Sequence, residues 1–232
     1  MEHPLTMTYG PVSGWLILVL LGGISGSFFL YQVIKASRLV LVGSSDDRFD
    51  NWGARVKEVL TGWLGQKKVL KDRVAGVIHV LMFWGFLMLS TDMFDLATAN
   101  WFSHNVLPNI VRGPWNLVVE TGYTIALIGC MAALIRRLIF TPEKLKGKSQ
   151  LEGNFILILI MTITVTAFFV EAGESTVSST WEPIGSWVAS SIVPSTTLVV
   201  GAYWMHMLAI STFLFLIPLS KHMHLVMAFP NV

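Results

Sequence analysis

The sequence is poor in charged residues and almost free of cysteine. Only 13% of its 232 residues are charged, whereas about a quarter is usual for soluble domains. A single cysteine excludes an internal disulfide, a zinc site made of several cysteines and an iron–sulfur cluster held by four. The glycine motifs that bind dinucleotides or phosphates are also missing. We therefore expect no nicotinamide, flavin or iron–sulfur centre bound by known motifs, and no nucleic-acid partner.

Long apolar runs dominate what is present. Hydrophobic residues make up 53% of the sequence, and five runs approach the ~20 residues that a helix needs to cross a bilayer. The runs lie near residues 12–34, 74–92, 115–135, 154–170 and 197–219. They leave little room for a soluble core. The sequence therefore predicts an all-α membrane protein, a bundle of five transmembrane helices in a single domain over residues 1–232.

Basic residues fall almost entirely on one side of the predicted bundle. Nine lie between the first two runs, five follow the third run, and Lys221 follows the fifth, whereas the other side has only Arg112. By the positive-inside rule the N-terminus is outside and the C-terminus is cytoplasmic. No basic residue precedes the first run, which is too long for a signal peptide, so it should remain as a helix. We expect a multi-pass protein of a prokaryotic cell membrane.

Two connections between the runs have distinct character. Residues 43–73 place Phe49, Trp52, Val56, Val59 and Leu60 at helical spacing, which predicts a short amphipathic helix on the membrane or under a partner. Residues 171–196 carry three glutamates with several Ser and Thr, and we expect them to form a solvated cap on the outer side.

Two of the six histidines, His79 and His206, lie inside apolar runs, where polar residues are costly and usually functional. A continuous helix would place His206 and His224 on one face, ~27 Å apart, with His222 facing elsewhere. Neutral imidazole binds haem iron, and bundle interiors hold such cofactors. Without a Cys-x-x-Cys-His motif any haem is b-type. Plain hydrogen bonding within the bundle is the alternative.

Two runs of sequence, GVIHVLMFWGF at residues 76–86 and WMHMLAISTFLFLIPLSKHMHL at residues 204–225, resemble the nitrate reductase gamma-subunit family of membrane cytochromes b. They are most like the branch associated with heterodisulfide-reductase-related iron–sulfur proteins. The resemblance spans nearly the whole chain. It implies one or two haems b between the second and fifth helices. His79 and His224 would ligate the haem nearer the cytoplasm, and His206 would be one ligand of the haem nearer the outer face.

The chain departs from this family at Leu89. Nitrate reductase gamma subunits carry a second histidine ten residues after the first on helix 2, and leucine at this position cannot bind iron. The outer haem is then absent, five-coordinate or bound by another residue, for which Met93 is the nearest candidate. A single haem held by His79 and His206 is a further alternative.

The resemblance also implies quinone or menaquinone as an exchangeable substrate. Arg112 follows Leu107-Pro108 at the spacing of a quinol-site lysine in nitrate reductase gamma subunits, and it is a candidate donor to the quinone. An interfacial arginine that contacts lipid head groups is the simpler alternative. Glu120, a carboxylate within the third run, is a candidate proton relay or partner of Arg112.

These features together predict an electron-transfer subunit. It would be a b-type cytochrome that passes electrons between a quinone pool and an iron–sulfur or flavin partner docked on the basic cytoplasmic face. In many relatives an iron–sulfur domain follows on the same chain, so we expect that partner as a separate subunit or as the rest of a longer product. A haem-free membrane anchor, a small transporter and a haem-transfer protein are the alternatives.

Overall fold

The described part of the chain is mostly helical. The computed structural model describes residues 2–40, 42, 51–102, 109–140, 148–173 and 180–227, without the side chains of residues 39–40, 93–102, 109–110 and 148–149. The helices of these residues are α1 (Gly14–Val40), α2 (Trp52–Glu58), α3 (Arg73–Phe102), α4 (Asn109–Ile139), α5 (Lys148–Gly173), α6 (Pro183–Ile192), α7 (Thr196–Leu219) and α8 (His224–Met227). A hairpin of β1 (Thr8–Tyr9) and β2 (Val12–Ser13) precedes α1.

Five of the described helices, α1, α3, α4, α5 and α7, are long and apolar enough to cross a membrane. They coincide with the five predicted runs, although α3 and α4 extend beyond them to Phe102 and from Asn109. A helix satisfies its own backbone hydrogen bonds, which a chain in hydrocarbon must do. The helices therefore fit a multi-pass membrane protein, while the orientation of the termini stays a prediction.

The chain divides into two compact units. The first contains residues 1–4 and 77–209, which include most of α3, all of α4, α5 and α6, and the first part of α7. The second contains residues 5–76 and 210–232, with the hairpin, α1, α2, the end of α7 and α8. The single domain expected from the sequence thus stays a prediction.

The first unit has a buried cluster between α4, α5 and α6. Its members are Val119, Tyr123, Ala167, Phe168, Ala172 and Val188. Close contact between α3 and α4 depends on glycine, because a Cβ at Gly122 would lie 2.6 Å from the Cβ of Met88, and one at Gly85 would lie 2.5 Å from the backbone N of Ala126. The absence of side chains at these positions lets the two backbones approach.

In the second unit, apolar side chains of α1 are exposed, among them Leu20, Ile24 and Leu30 at 51–59%. Such a surface fits contact with lipid. The short helix predicted within residues 43–73 is confirmed as α2, followed by a π-helical turn over Val59–Leu64. Phe49, part of that prediction, lies outside the described residues.

In its described residues, the connection over residues 171–196 differs in part from the predicted solvated cap. It contains α6, in which Gly185 and Val188 are buried, and Glu182 just before it is also buried at 9% exposure. Pro183 at the first helical position favours a helix start there because its missing N–H would have no intrahelical partner. The buried side of α6 thus packs within the first unit, whereas Trp187 and Ile192 on the same helix are exposed at 67% and 50%.

The second difference is a break after α7. The expectation that His206 and His224 lie on one face of a continuous helix is wrong, because α7 ends at Leu219 and Ser220 is extended at φ −123°, ψ 177°. Pro218 has no N–H to continue the helical ladder. The hydroxyl of Ser220 then accepts the backbone N–H of His222 at 3.1 Å, which starts a new helical turn.

Candidate functional site

His206 is buried in α7 at 6% exposure. Its Nδ1 lies 3.0 Å from the carbonyl oxygen of Ile163 and 3.1 Å from Oγ1 of Thr166, both on α5. A carbonyl oxygen only accepts, so the ring proton is on Nδ1 and Nε2 of the neutral imidazole carries the lone pair. Histidines that bind metals through one ring nitrogen usually donate the other to a carbonyl or carboxylate in this way.

His224 has the same hydrogen-bond pattern beyond the end of α7. Its Nδ1 lies 2.7 Å from the carbonyl oxygen of Lys221, which again leaves the lone pair on Nε2. Nδ1 of His222 instead lies 3.0 Å from the hydroxyl of Ser220, a group that can donate or accept. The two neighbouring imidazoles, with centroids 6.0 Å apart, therefore differ in how their protons are fixed.

The other predicted haem residues lie on α3. His79 is partly buried and belongs to the first unit with His206, whereas His224 belongs to the second unit. Leu89 packs against the cluster around Tyr123. Met93 lies on α3, but its side chain is outside the described part of the chain, so its ligation stays a prediction.

One face of α4 holds the segment that leads into α6, residues 181–185, which we name the strap. A Cβ at Gly113 would lie 2.7 Å from the indole of Trp181, so glycine is needed for this contact. One turn further, Nδ2 of Asn116 donates to Oε1 of Glu182 at 2.6 Å. Spacings of three and four residues place such contacts on the same side of a helix.

Glu120 continues this face of α4 and is buried at 2% exposure. Its Oε1 accepts the backbone N–H of Gly185 at 2.7 Å, in the first turn of α6. The residue that precedes α6, Glu182, makes no side-chain cap of its own. Glu120 therefore caps α6 from another helix, where a carboxylate also complements the helix dipole.

This contact corresponds to neither of the roles predicted for Glu120, which were proton relay and partner of Arg112. Arg112 is eight residues away on α4, or ~12 Å along the axis, and in the described residues no ion pair joins its side chain to Glu120. The role of proton relay stays a prediction.

Arg112 and Trp115 carry buried donors at the Asn109 end of α4. Nε and Nη2 of Arg112 and Nε1 of Trp115 make no hydrogen bond within the described part of the chain. The two residues are three apart, or ~60° around the helix and ~4.5 Å along it. A buried donor without an acceptor costs ~1–3 kcal/mol, so this end of α4 is suited to an added acceptor. Leu107-Pro108, which supported the prediction for Arg112, lies outside the described residues.

Sequence reasoning assigned no role to Trp115 or to a hydrogen-bonded pair that joins α3 to α4. In this pair the hydroxyl of Tyr123 on α4 donates to Oδ2 of Asp92 on α3 at 2.8 Å. Tyr123 is buried at 3% exposure. The two residues are 31 apart in sequence, so local spacing gives no signal of their contact.

The described residues contain no group of three or more His, Cys, Asp or Glu side chains that could hold a metal ion. A haem takes axial ligands, and His206 and His224 each present a ring nitrogen with its lone pair, the first from a buried side chain and the second from an exposed one. These two side chains therefore fit the chemistry of a haem ligand.

Two known proteins are similar to the chain over most of its length. One is "Probable iron-sulfur-binding oxidoreductase FadF" of Bacillus subtilis strain 168, 29% identical over 217 residues, which are 88% of this chain and 30% of that protein. The other is "EtfAB:quinone oxidoreductase" of Syntrophomonas wolfei, 27% identical over 236 aligned positions, covering 94% of this chain and 33% of that protein. No family profile matches the sequence, and no solved structure matches it.

The chain thus spans about a third of the length of these relatives. Both are oxidoreductases, one named for iron–sulfur binding and the other for quinone, and the chain is related to proteins of this class. Neither is named as a nitrate reductase gamma subunit or a heterodisulfide-reductase cytochrome. The comparisons therefore support the predicted resemblance at the level of an electron-transfer oxidoreductase.

Proposed function

We propose that the chain is the b-type cytochrome membrane part of a quinone-linked oxidoreductase. It connects quinone or menaquinone in a prokaryotic cell membrane to an iron–sulfur or flavin partner. The observation that carries this proposal is His206, a buried imidazole in a membrane-length helix whose Nδ1 is held by a carbonyl and whose Nε2 has the lone pair. The printed names of the two relatives support the same class of reaction.

His79, His206 and His224 are the proposed haem ligands. A bound haem b supplies a one-electron carrier between a two-electron quinone and its partner. The pairing of these histidines stays the one that the resemblance implies, and we assign His206 to the position nearer the outer face. Leu89 argues against a second haem with two histidine ligands, because its side chain is packed in the cluster around Tyr123 and has no ligand atom.

The partner is proposed to dock on the basic side of the bundle. Fifteen of the sixteen Lys and Arg residues lie on the side that the positive-inside rule assigns to the cytoplasm. Such a surface attracts an acidic partner over a distance of about a Debye length, ~8 Å at physiological salt. The relatives are about three times as long as this chain, so the partner is either another subunit or a further region of a longer protein.

Arg112 and Glu120 are proposed to belong to the quinone end. Arg112 contributes a positive charge and unpartnered buried N–H groups, which suit a carbonyl or phenolate oxygen. Glu120 fixes α6 beside this region. Its carboxylate is also the candidate proton carrier, since quinone reduction takes up protons together with electrons.

Haem content of histidine variants tests the proposal. We expect the purified wild-type chain to show a reduced b-type absorption band, and His79→Ala, His206→Ala and His224→Ala each to lose at least part of it. His222→Ala is the matched control, because the hydroxyl of Ser220 contacts its Nδ1, whereas a carbonyl fixes Nδ1 of the neighbouring His224. A folded, colourless wild-type chain would instead indicate a haem-free anchor or transporter.

A further inference from the structure

We infer that Trp115 is a second hydrogen-bond donor to the head group of the quinone that Arg112 binds. This inference rests on the proposed function and adds a specificity-determining residue to its quinone end. The two side chains form what we name the donor pair, which has three buried N–H atoms without a partner in the described part of the chain: Nε and Nη2 of Arg112 and Nε1 of Trp115.

The neighbouring strap does not satisfy these donors. Its polar groups are bound to the adjacent face of α4, where Glu182 accepts from Asn116 and Gly185 donates to Glu120. Positions 112 and 115 lie on the side of α4 that continues to Val119, ~100° and ~160° from Gly113 around the helix. The donor pair therefore keeps its hydrogen-bonding capacity for a group that these contacts do not provide.

The surroundings of the donor pair suit a flat apolar ring with oxygen atoms. Trp115 packs against the buried cluster that contains Val119, Tyr123 and Phe168, and its indole N–H is itself buried. Indole is a donor only, and guanidinium is a donor with a fixed positive charge. Together they select an acceptor, and the apolar cluster favours a quinone ring over a hydrated anion such as a lipid phosphate.

The test is the binding of a short-chain menaquinone analogue to the full chain in detergent, with the phospholipid that stays bound to the chain also measured. Trp115→Phe keeps an aromatic ring and removes only the donor, and should raise the Kd roughly two- to tenfold. Arg112→Gln should raise it roughly ten- to hundredfold because a charged donor is lost. Trp187→Phe is the matched control, since that indole is 67% exposed on α6, and its Kd should equal that of the wild type.

Tryptophan fluorescence gives a readout that a merely structural role of Trp115 would not produce. Quinones quench nearby indoles, so the quenched amplitude should fall in Trp115→Phe and stay in Trp187→Phe. An azidoquinone should crosslink within Asn109–Ile139 of the wild-type chain, which needs no variant to fold.

The outcomes separate the two proposals. Weaker binding in Arg112→Gln with wild-type binding in Trp115→Phe overturns the inference and leaves the quinone end in place. Wild-type binding in both variants, or a crosslink on another helix, overturns the inference and moves the quinone end elsewhere. No binding by the wild-type chain overturns the proposed function itself.

If the variants lose bound phospholipid but bind quinone normally, the donor pair holds a lipid head group and the inference is wrong.

Discussion

At the scale of single residues, Glu120 shows how a polar group inside a membrane-length helix can have a structural role. Glu120→Ala removes the acceptor of the Gly185 N–H and leaves it buried, which should destabilise the chain by ~1–3 kcal/mol. Glu120→Gln retains a carbonyl oxygen at this position and should lose much less. Thermal unfolding in detergent measures both changes.

Hydrogen exchange at the amide of Gly185 tests the origin of that loss. In Glu120→Ala the amide should exchange faster, because α6 loses its cap. If exchange at Gly185 is unchanged in Glu120→Ala, Glu120 does not act as a cap. Slow quinone turnover in Glu120→Gln would then favour the role of proton relay.

The histidines show what could be derived from single residues. Depth in an apolar run identified His206, and the structure adds that Ile163 and Thr166 hold its Nδ1. Ile163 and Thr166 are 43 and 40 residues away on α5, so no local pattern could have revealed them. Trp115 was missed because a tryptophan in an apolar helix usually only packs against apolar neighbours, so its presence in the sequence does not indicate a binding site.

At the scale of helices, the contact between α3 and α4 depends on a small residue. Gly122→Ala would place a Cβ 2.6 Å from the Cβ of Met88 and 2.9 Å from the backbone N of Leu89, so the helices must separate. We expect a loss of ~1–3 kcal/mol, as is usual for overpacking, measured by thermal unfolding.

Gly201→Ala on α7 is the matched control. A Cβ at this position meets no heavy atom within 4 Å, and alanine is the better helix former by up to ~1 kcal/mol. The variant should therefore be as stable as the wild type or slightly more stable. Equal losses at Gly122 and Gly201 would contradict the account of close packing.

The helices also show which parts of the fold the sequence could predict. Hydropathy located the five long helices because crossing hydrocarbon requires continuous apolar runs. It missed α6, whose polar start is held by Glu120 and Asn116 from a distant part of the chain. The break after α7 had a local signal in Pro218 and Ser220. This signal should have outweighed the helical spacing of His206 and His224.

At the scale of the whole molecule, the predicted orientation of the termini across the membrane rests only on the distribution of Lys and Arg. It has a direct test. Cys130 is fully buried and should not react, so new cysteines report their own side of the membrane. In intact cells a membrane-impermeant thiol reagent should label Thr180→Cys. Lys68→Cys, at a side chain that is 82% exposed, should react only after the cells are opened. The reverse pattern would contradict the positive-inside assignment.

The most direct test of the central claim is reduction of the purified chain by a quinol analogue, followed by its absorption spectrum. We predict at least one haem b per chain, reduced by the quinol in the wild type and much more slowly in Arg112→Gln, which should keep its haem. The dithionite-reduced spectrum of both proteins should be the same. A stably folded chain without a b-type band, or with a band that quinol does not reduce while dithionite does, would contradict the assignment of this chain as a quinone-linked cytochrome.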